Sequence, residues 1–163
     1  MIEIYIENTG KKVSYPFGTS LKQICADLNI ETAYPILGAR VNNKLKELNY
    51  KIFKPKQIRF IDITDRDGYR MYIRSLIFVL IKAVKDTYPD GIVKIEHAVS
   101  KGLYCEIEGV GGEITLDMTI DIIKRMREII DADMPFTREE IPTKEAIKLF
   151  NQNKLFEKAR LFK

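Results

Sequence analysis

Three side chains stand at regular intervals in the stretch YIRSLIFVLIKA, residues 72–83: Arg74, Phe78 and Lys82. At about 100° per residue, positions four apart share one face of a helix. The three therefore form a single ridge. Ser75, Lys85 and Asp86 complete a polar arc around it, while Leu76, Ile77, Val79, Leu80, Ile81 and Val84 make up the apolar remainder. An aromatic ring flanked by two cations suits stacking on a nucleobase beside a phosphate. The alternative is packing: Phe78 fills space beneath a neighbouring hairpin or helix.

Other chemistry is sparse. The chain has one histidine, His97, so it cannot build a paired-histidine metal site, and no metal ligand is assigned. If its strand runs straight, His97 shares a face with Ile95 and Val99 and reads as packed. The stretch GVGGEIT has the glycines of a phosphate loop but lacks the Lys-Ser/Thr pair that would follow, so it reads as a tight turn. Asp117 and Asp121 sit four apart at the start of a helix, where negative charge suits the dipole. Cys25 lies on an apolar helix face and reads as inert packing. No residue is assigned a catalytic role.

Charge is uneven. Residues 1–64 hold ten Lys/Arg against six Asp/Glu, whereas the rest of the chain holds seventeen of each. Arg40, Lys44, Lys46, Lys51, Lys54, Lys56 and Arg59 crowd into one span with Glu47 as the single acid. Such a span reads either as a phosphate-binding surface or as a lysine-guarded sheet edge. The longest apolar run, Leu76 to Ile81, is too short to cross a bilayer, and no membrane partner is expected. Two cysteines about eighty residues apart and no signal-peptide pattern make a reducing cytoplasm the expected location.

The elements that must position these groups follow from periodicity. IEIYIE (2–7) alternates as a half-buried strand, and VSYPF (13–17) pairs with it after a turn. Ser20 opens a helix with Leu21, Ile24, Cys25 and Leu28 on one face. ILGARVN is a third strand, LKELNYKI supplies turns and an edge, and QIRFIDIT closes the set, an order expected of a β-grasp unit. TDRDGYR reads as a polar break, so residues 65–70 are expected to be a linker. Beyond it come the helix already described, a hairpin from IVKIEHAV and LYCEIEGV turning at Ser100–Gly102, and a long helix from Thr115 or Asp117. That helix repeats Ile120, Ile123, Met126 or Arg127, and Ile130. MPFTREEI is expected as a short strand, and PTKEAIKLF and NKLFEKARLFK as helical pieces. The last ends without punctuation, as part of a longer chain would.

These motifs resemble known families. Residues 1–64, through ILGARVNNKLKELNYKI…QIRFIDIT, resemble a TGS domain, the β-grasp module of threonyl-tRNA synthetase, certain GTPases and (p)ppGpp synthetases. Residues 71–163 resemble the second N-terminal domain of threonyl-tRNA synthetase, an editing domain shared with alanyl-tRNA synthetase, on IRS, the Lys-Gly-Leu-Tyr hairpin and KRM. The implied fold is α+β: a β-grasp unit followed by an editing-like α+β domain, truncated at its C-terminal side. In the editing family, the helix after Ile-Arg carries His-x-x-x-His. Here those positions are Arg74 and Phe78. Neither can act as a general base or hold a metal, so familiar editing is not expected.

A TGS unit joined to such a domain also resembles the front of bacterial uridine (nucleoside) kinases. On that resemblance this chain is a non-catalytic regulatory or ligand-binding module, with ATP and Mg²⁺ only on a catalytic domain beyond residue 163. The alternative is the N-terminal region of a threonyl-tRNA synthetase-related protein that binds tRNA or other RNA. In either case the vacated pocket is expected to bring Arg74, Phe78 and Lys82 opposite Tyr104 and His97, where it either holds a nucleotide or RNA or is simply filled by Phe78.

Overall fold

Strict alternation of apolar and polar residues gives the first strand, β1 (Ile2–Ile6), one fully buried face: Ile2, Ile4 and Ile6. The computed structural model describes residues 1–100, 102–153 and 155–162. Lys101 of the expected hairpin turn, and Lys154 and Lys163 of the expected last helical piece, lie outside them. β1 pairs antiparallel with β2 (Lys11–Tyr15) and parallel with β7 (Lys56–Ile61). β7 continues antiparallel to β4 (Gly38–Val41), which pairs with the edge strand β5 (Lys44–Lys46). The sheet order is thus β2-β1-β7-β4-β5.

Helix α1 (Leu21–Asp27) lies against this sheet through Leu21 and Ile24, with Cys25 and Leu28 partly covered. Its start is set by Ser20, whose hydroxyl accepts from the Gln23 amide at 3.2 Å. A small ladder of β3 (Thr19–Ser20) and β6 (Lys51–Ile52) closes the side. A mixed sheet grasping one helix, with Phe60 and Ile58 in its centre, is the α+β arrangement expected.

Residues 65–70 are not a linker. Asp65 caps helix α2 (Arg66–Thr87), accepting from the Asp67 amide at 2.9 Å, so the polar stretch is the cap and first turns of a long helix. Polar residues around a glycine read as a break only when their capping role goes unnoticed. The helix starts hard against the end of β7: a Cβ on Gly68 would lie 1.9 Å from the Asp62 carbonyl oxygen. Gly38 is similarly close, its added Cβ falling 2.9 Å from Met71 Cε. Asp62 itself is buried. Its Oδ1 accepts from the amide and hydroxyl of Thr64 at 2.8 and 2.5 Å, and its Oδ2 from the Tyr34 amide at 3.2 Å.

Past α2, strands β8 (Ile92–Val99) and β9 (Gly102–Glu108) form the hairpin, and α3 (Leu116–Asp131) follows. The α3 face turned inward is Ile122 and Ile129 with Met126, packed with Ala83, Val84, Val93 and Ile107. The expected face is corrected accordingly: Ile120, Ile123 and Ile130 are exposed. Isoleucines recur on two sides of this helix, so periodicity alone could not choose between them.

The chain forms two compact units, Met1–Ile129 and Ile130–Lys163. In the second, MPFTREEI is irregular rather than a strand, with no partner strand among the described residues to complete a ladder. Helices α4 (Thr143–Gln152) and α5 (Phe156–Arg160) follow it, with Phe150 stacked on Phe162 at 5.8 Å.

Gly68→Ala should destabilise the protein by about 3 kcal/mol, read as a lower urea midpoint at unchanged slope. The Thr64 hydrogen bonds hold the Asp62 carboxyl below its ordinary value. Its contribution to stability is therefore complete above the unfolded value of about 3.9 and is lost as pH falls through the lower folded value. Asp62→Asn should flatten that acid limb of the stability–pH curve.

Candidate functional site

Arg74, Phe78 and Lys82 do share one face of α2, and all three are exposed, Phe78 by 62 %. The packing expectation for Phe78, burial under the hairpin or α3, is thereby corrected. The ridge is not a free row of cations, however. Lys82 Nζ donates to both oxygens of Asp86 at 3.0 and 3.1 Å. Arg125 on α3 reaches the same carboxylate through Nε at 3.0 Å and Nη2 at 2.8 Å, and donates through Nη1 to Glu128 at 2.9 Å. Arg125 and then Lys82 hold the Asp86 carboxyl below its ordinary range. One end of the ridge therefore serves to tie α2 to α3.

The opposite face of α2 borders an apolar cleft of about 790 Å³. Ile73, Leu76, Ile77 and Leu80 form one wall, Leu103 and Cys105 of the hairpin the other, and Met126 of α3 closes an end. Phe78 is two residues from both Leu76 and Leu80, hence about 160° away around the axis. The ridge and the cleft are different surfaces.

His97 and Tyr104 do not face the ridge. Leu103 and Cys105 line the cleft, so Tyr104 between them points to the outer side of the hairpin. The register shifts between Ile95 and Ala98, placing two residues, Glu96 and His97, opposite Tyr104. The extra residue swings His97 out beside Tyr104, their rings 5.3 Å apart at 36°. The expectation that His97 packs with Ile95 and Val99 assumed a straight strand, and the bulge overturns it. The Tyr104 hydroxyl donates to Glu106 at 3.2 Å, and this bond and the carboxylate's charge raise the phenol above its ordinary value. The five residues expected in one pocket thus occupy two surfaces.

The basic span also divides. Arg40 and Arg59 stand directly opposite each other on β4 and β7, where like charges repel. Asp65 bridges them, at 3.2 Å from Arg40 and 3.6 Å from Arg59, and Asp67 adds a 3.0 Å contact to Arg40. Lys46 lies over the Tyr50 ring at 4.7 Å. Lys44, Lys51 and Lys54 are exposed and Lys56 is half-buried. A polar hollow of about 450 Å³ beside the arginine clasp is lined by Asn8, Arg59, Asp62 and Arg66. Asn8 bonds both backbone groups of Phe60, so it belongs to the joint between sheet and helix.

The glycine-rich bend 109–112 leads into α3, where the Thr115 hydroxyl accepts from the Met118 amide at 3.2 Å and caps the helix. Among the described residues, no group of three or more His, Cys, Asp or Glu could hold a metal ion. No helix among them is long and apolar enough to cross a membrane. The cleft is what sequence reading missed. Its α2 wall carries the i, i+3, i+4, i+7 pattern of a core face, and nothing local reveals that this face is only partly covered.

These features define an α+β protein in which a β-grasp unit is fused to a helix–hairpin–helix layer. No family model matches the chain. The threonine–tRNA ligase of Clostridium kluyveri is 31 % identical over 163 residues, which is 100 % of this chain and 25 % of that protein. That of Syntrophomonas wolfei is 30 % identical over 152 residues, 93 % of this chain and 24 % of the relative. That of a Sulfurihydrogenibium species is 28 % identical over 165 residues, 100 % and 26 %. The chain spans about a quarter of the length of these relatives. They support the synthetase-like reading of the chain, and the nucleoside-kinase expectation finds no support among them.

Burial pushes the Cys105 thiol above its ordinary value. In a Cys25→Ser background, Cys105 should react with a disulfide reagent more slowly than free cysteine at pH 7.5. Its rate should still be climbing at a pH where that of free cysteine has levelled. Coinciding profiles would show that the cleft does not bury the thiol.

Proposed function

We propose that the chain is a non-catalytic RNA-binding module of a threonyl-tRNA synthetase-related protein, with tRNA as its ligand. The observation that carries this reading is the similarity to threonine–tRNA ligases along the whole chain, β-grasp and helix–hairpin parts together and in one order. Helix α2 carries no histidine, whereas the resembling editing domains carry two there, and its polar face presents Arg74 and Phe78 instead. A guanidinium stays protonated near neutral pH and a phenyl ring has no proton to exchange. Hydrolysis of a mischarged ester by the familiar route is thereby lost, while Arg74 remains suited to a phosphate. This reading takes precedence over a regulatory front half of a nucleoside kinase, with ATP and Mg²⁺ on a further domain, because the relatives named are tRNA ligases.

Fluorescence anisotropy of labelled tRNA, titrated with the chain at several salt concentrations, tests the proposal. Affinity should fall linearly with salt on a log–log plot, and seryl-tRNA should not be deacylated. Absence of binding at 50 mM salt would refute the reading, and measurable deacylation would refute its non-catalytic part.

A further inference from the structure

Two phenylalanines stand exposed at one end of the β-grasp unit: Phe17 by 64 % and Phe53 by 59 %. They come from turns far apart in sequence, Phe17 between β2 and β3 and Phe53 between β6 and β7. The β3–β6 ladder brings the two turns together, pairing Thr19 with Ile52 and Ser20 with Lys51, and the Gly18 amide donates to the Ile52 carbonyl at 2.7 Å. Gly18 has φ +81°, and a Cβ there would lie 3.3 Å from Phe53 Cε1 and 3.6 Å from Cζ. The Phe53 ring thus rests against the Gly18 backbone, held in place by the turn yet largely open to solvent. An exposed ring already ordered by its surroundings loses little further entropy when another flat group covers it.

The stretch of chain around Phe53 is basic. From Leu48 to Ile61 the chain carries Lys51, Lys54, Lys56 and Arg59 and no Asp or Glu. Arg59 is drawn into the Asp65 clasp with Arg40. Lys51 and Lys54 flank Phe53 in sequence, are exposed, and have no carboxylate partner among the described residues. The span that reads as one basic surface in the sequence therefore has a neutralised end at the α2 joint and a cationic end around the aromatic pair.

We propose that Phe17 and Phe53, with Lys51 and Lys54, form a stacking platform for single-stranded RNA. Bases cover the rings while the two ammonium groups meet the flanking phosphates. The platform rests on the RNA-binding reading above and names the surface that carries it, one separate from the Arg74–Phe78–Lys82 ridge. Charge complementarity selects a polyanion over an apolar protein partner, because an apolar partner would leave both lysines desolvated and unpaired.

The chain has no tryptophan, so Phe53→Trp installs a single reporter. Its emission should be quenched by a twelve-residue oligouridylate and, at matched salt, by whole tRNA. Phe53→Ala should weaken oligouridylate binding about tenfold, and Lys51→Glu with Lys54→Glu should weaken it further and reduce the salt slope. Urea midpoints close to that of the unaltered chain would confirm that the variants fold, as expected for exposed positions. If the unaltered chain binds tRNA but Phe53→Ala leaves oligouridylate affinity unchanged or Phe53→Trp is not quenched, the platform is wrong while the RNA-binding reading stands. If the unaltered chain binds neither RNA, both fall together.

Discussion

The approach of α2 to the end of β7 is the constraint on which the rest of this chain depends. Gly68 sits where any side chain would collide with the Asp62 carbonyl. The helix can therefore begin hard against the sheet, after a connection of only four residues, 62–65. Around that contact, Asp62 collects three hydrogen bonds, and Asp65 both caps the helix and bridges Arg40 and Arg59. A cap shared with two cross-strand arginines couples helix start to sheet register. Moving the helix would expose a buried carboxylate and leave two like charges facing each other. Only with this joint in place does α2 emerge in one defined direction, with the hairpin and α3 packed along it.

The same helix then presents two unlike faces. One carries Ile73, Leu76, Ile77 and Leu80 into an apolar cleft shared with the hairpin. The other carries Arg74 and Phe78 to solvent, with Lys82 already committed to Asp86 and, through it, to Arg125.

Much of the architecture was legible from the residues. The alternation in IEIYIE, the Ser20 cap, the hairpin and the helical runs each rest on local rules of period and capping. The errors have local causes too. TDRDGYR reads as a linker because its polar residues and glycine imitate a loop, whereas Asp65 is a cap and Gly68 a close contact. Periodicity in α3 points to the wrong face because isoleucines occur on both sides. A straight strand would put His97 on the side of Ile95, but one extra residue in a bulge reverses every side chain beyond it. Such a bulge is invisible until the partner strand is known.

By itself, the sequence determined the α+β class, the order of elements, the ridge of Arg74, Phe78 and Lys82, and the absence of a second histidine to pair with His97. These depend on residue type and on spacings within a turn or two. Only the tertiary structure decided that His97 and Tyr104 lie on a different surface from that ridge. It also decided that Asp65 bridges Arg40 and Arg59, with Asp67 beside Arg40, and that the turns carrying Phe17 and Phe53 lie side by side. Each of these joins residues separated by several to several tens of positions. Strand pairing and the close contact at Gly68 set those neighbours, and no periodicity along the chain encodes them.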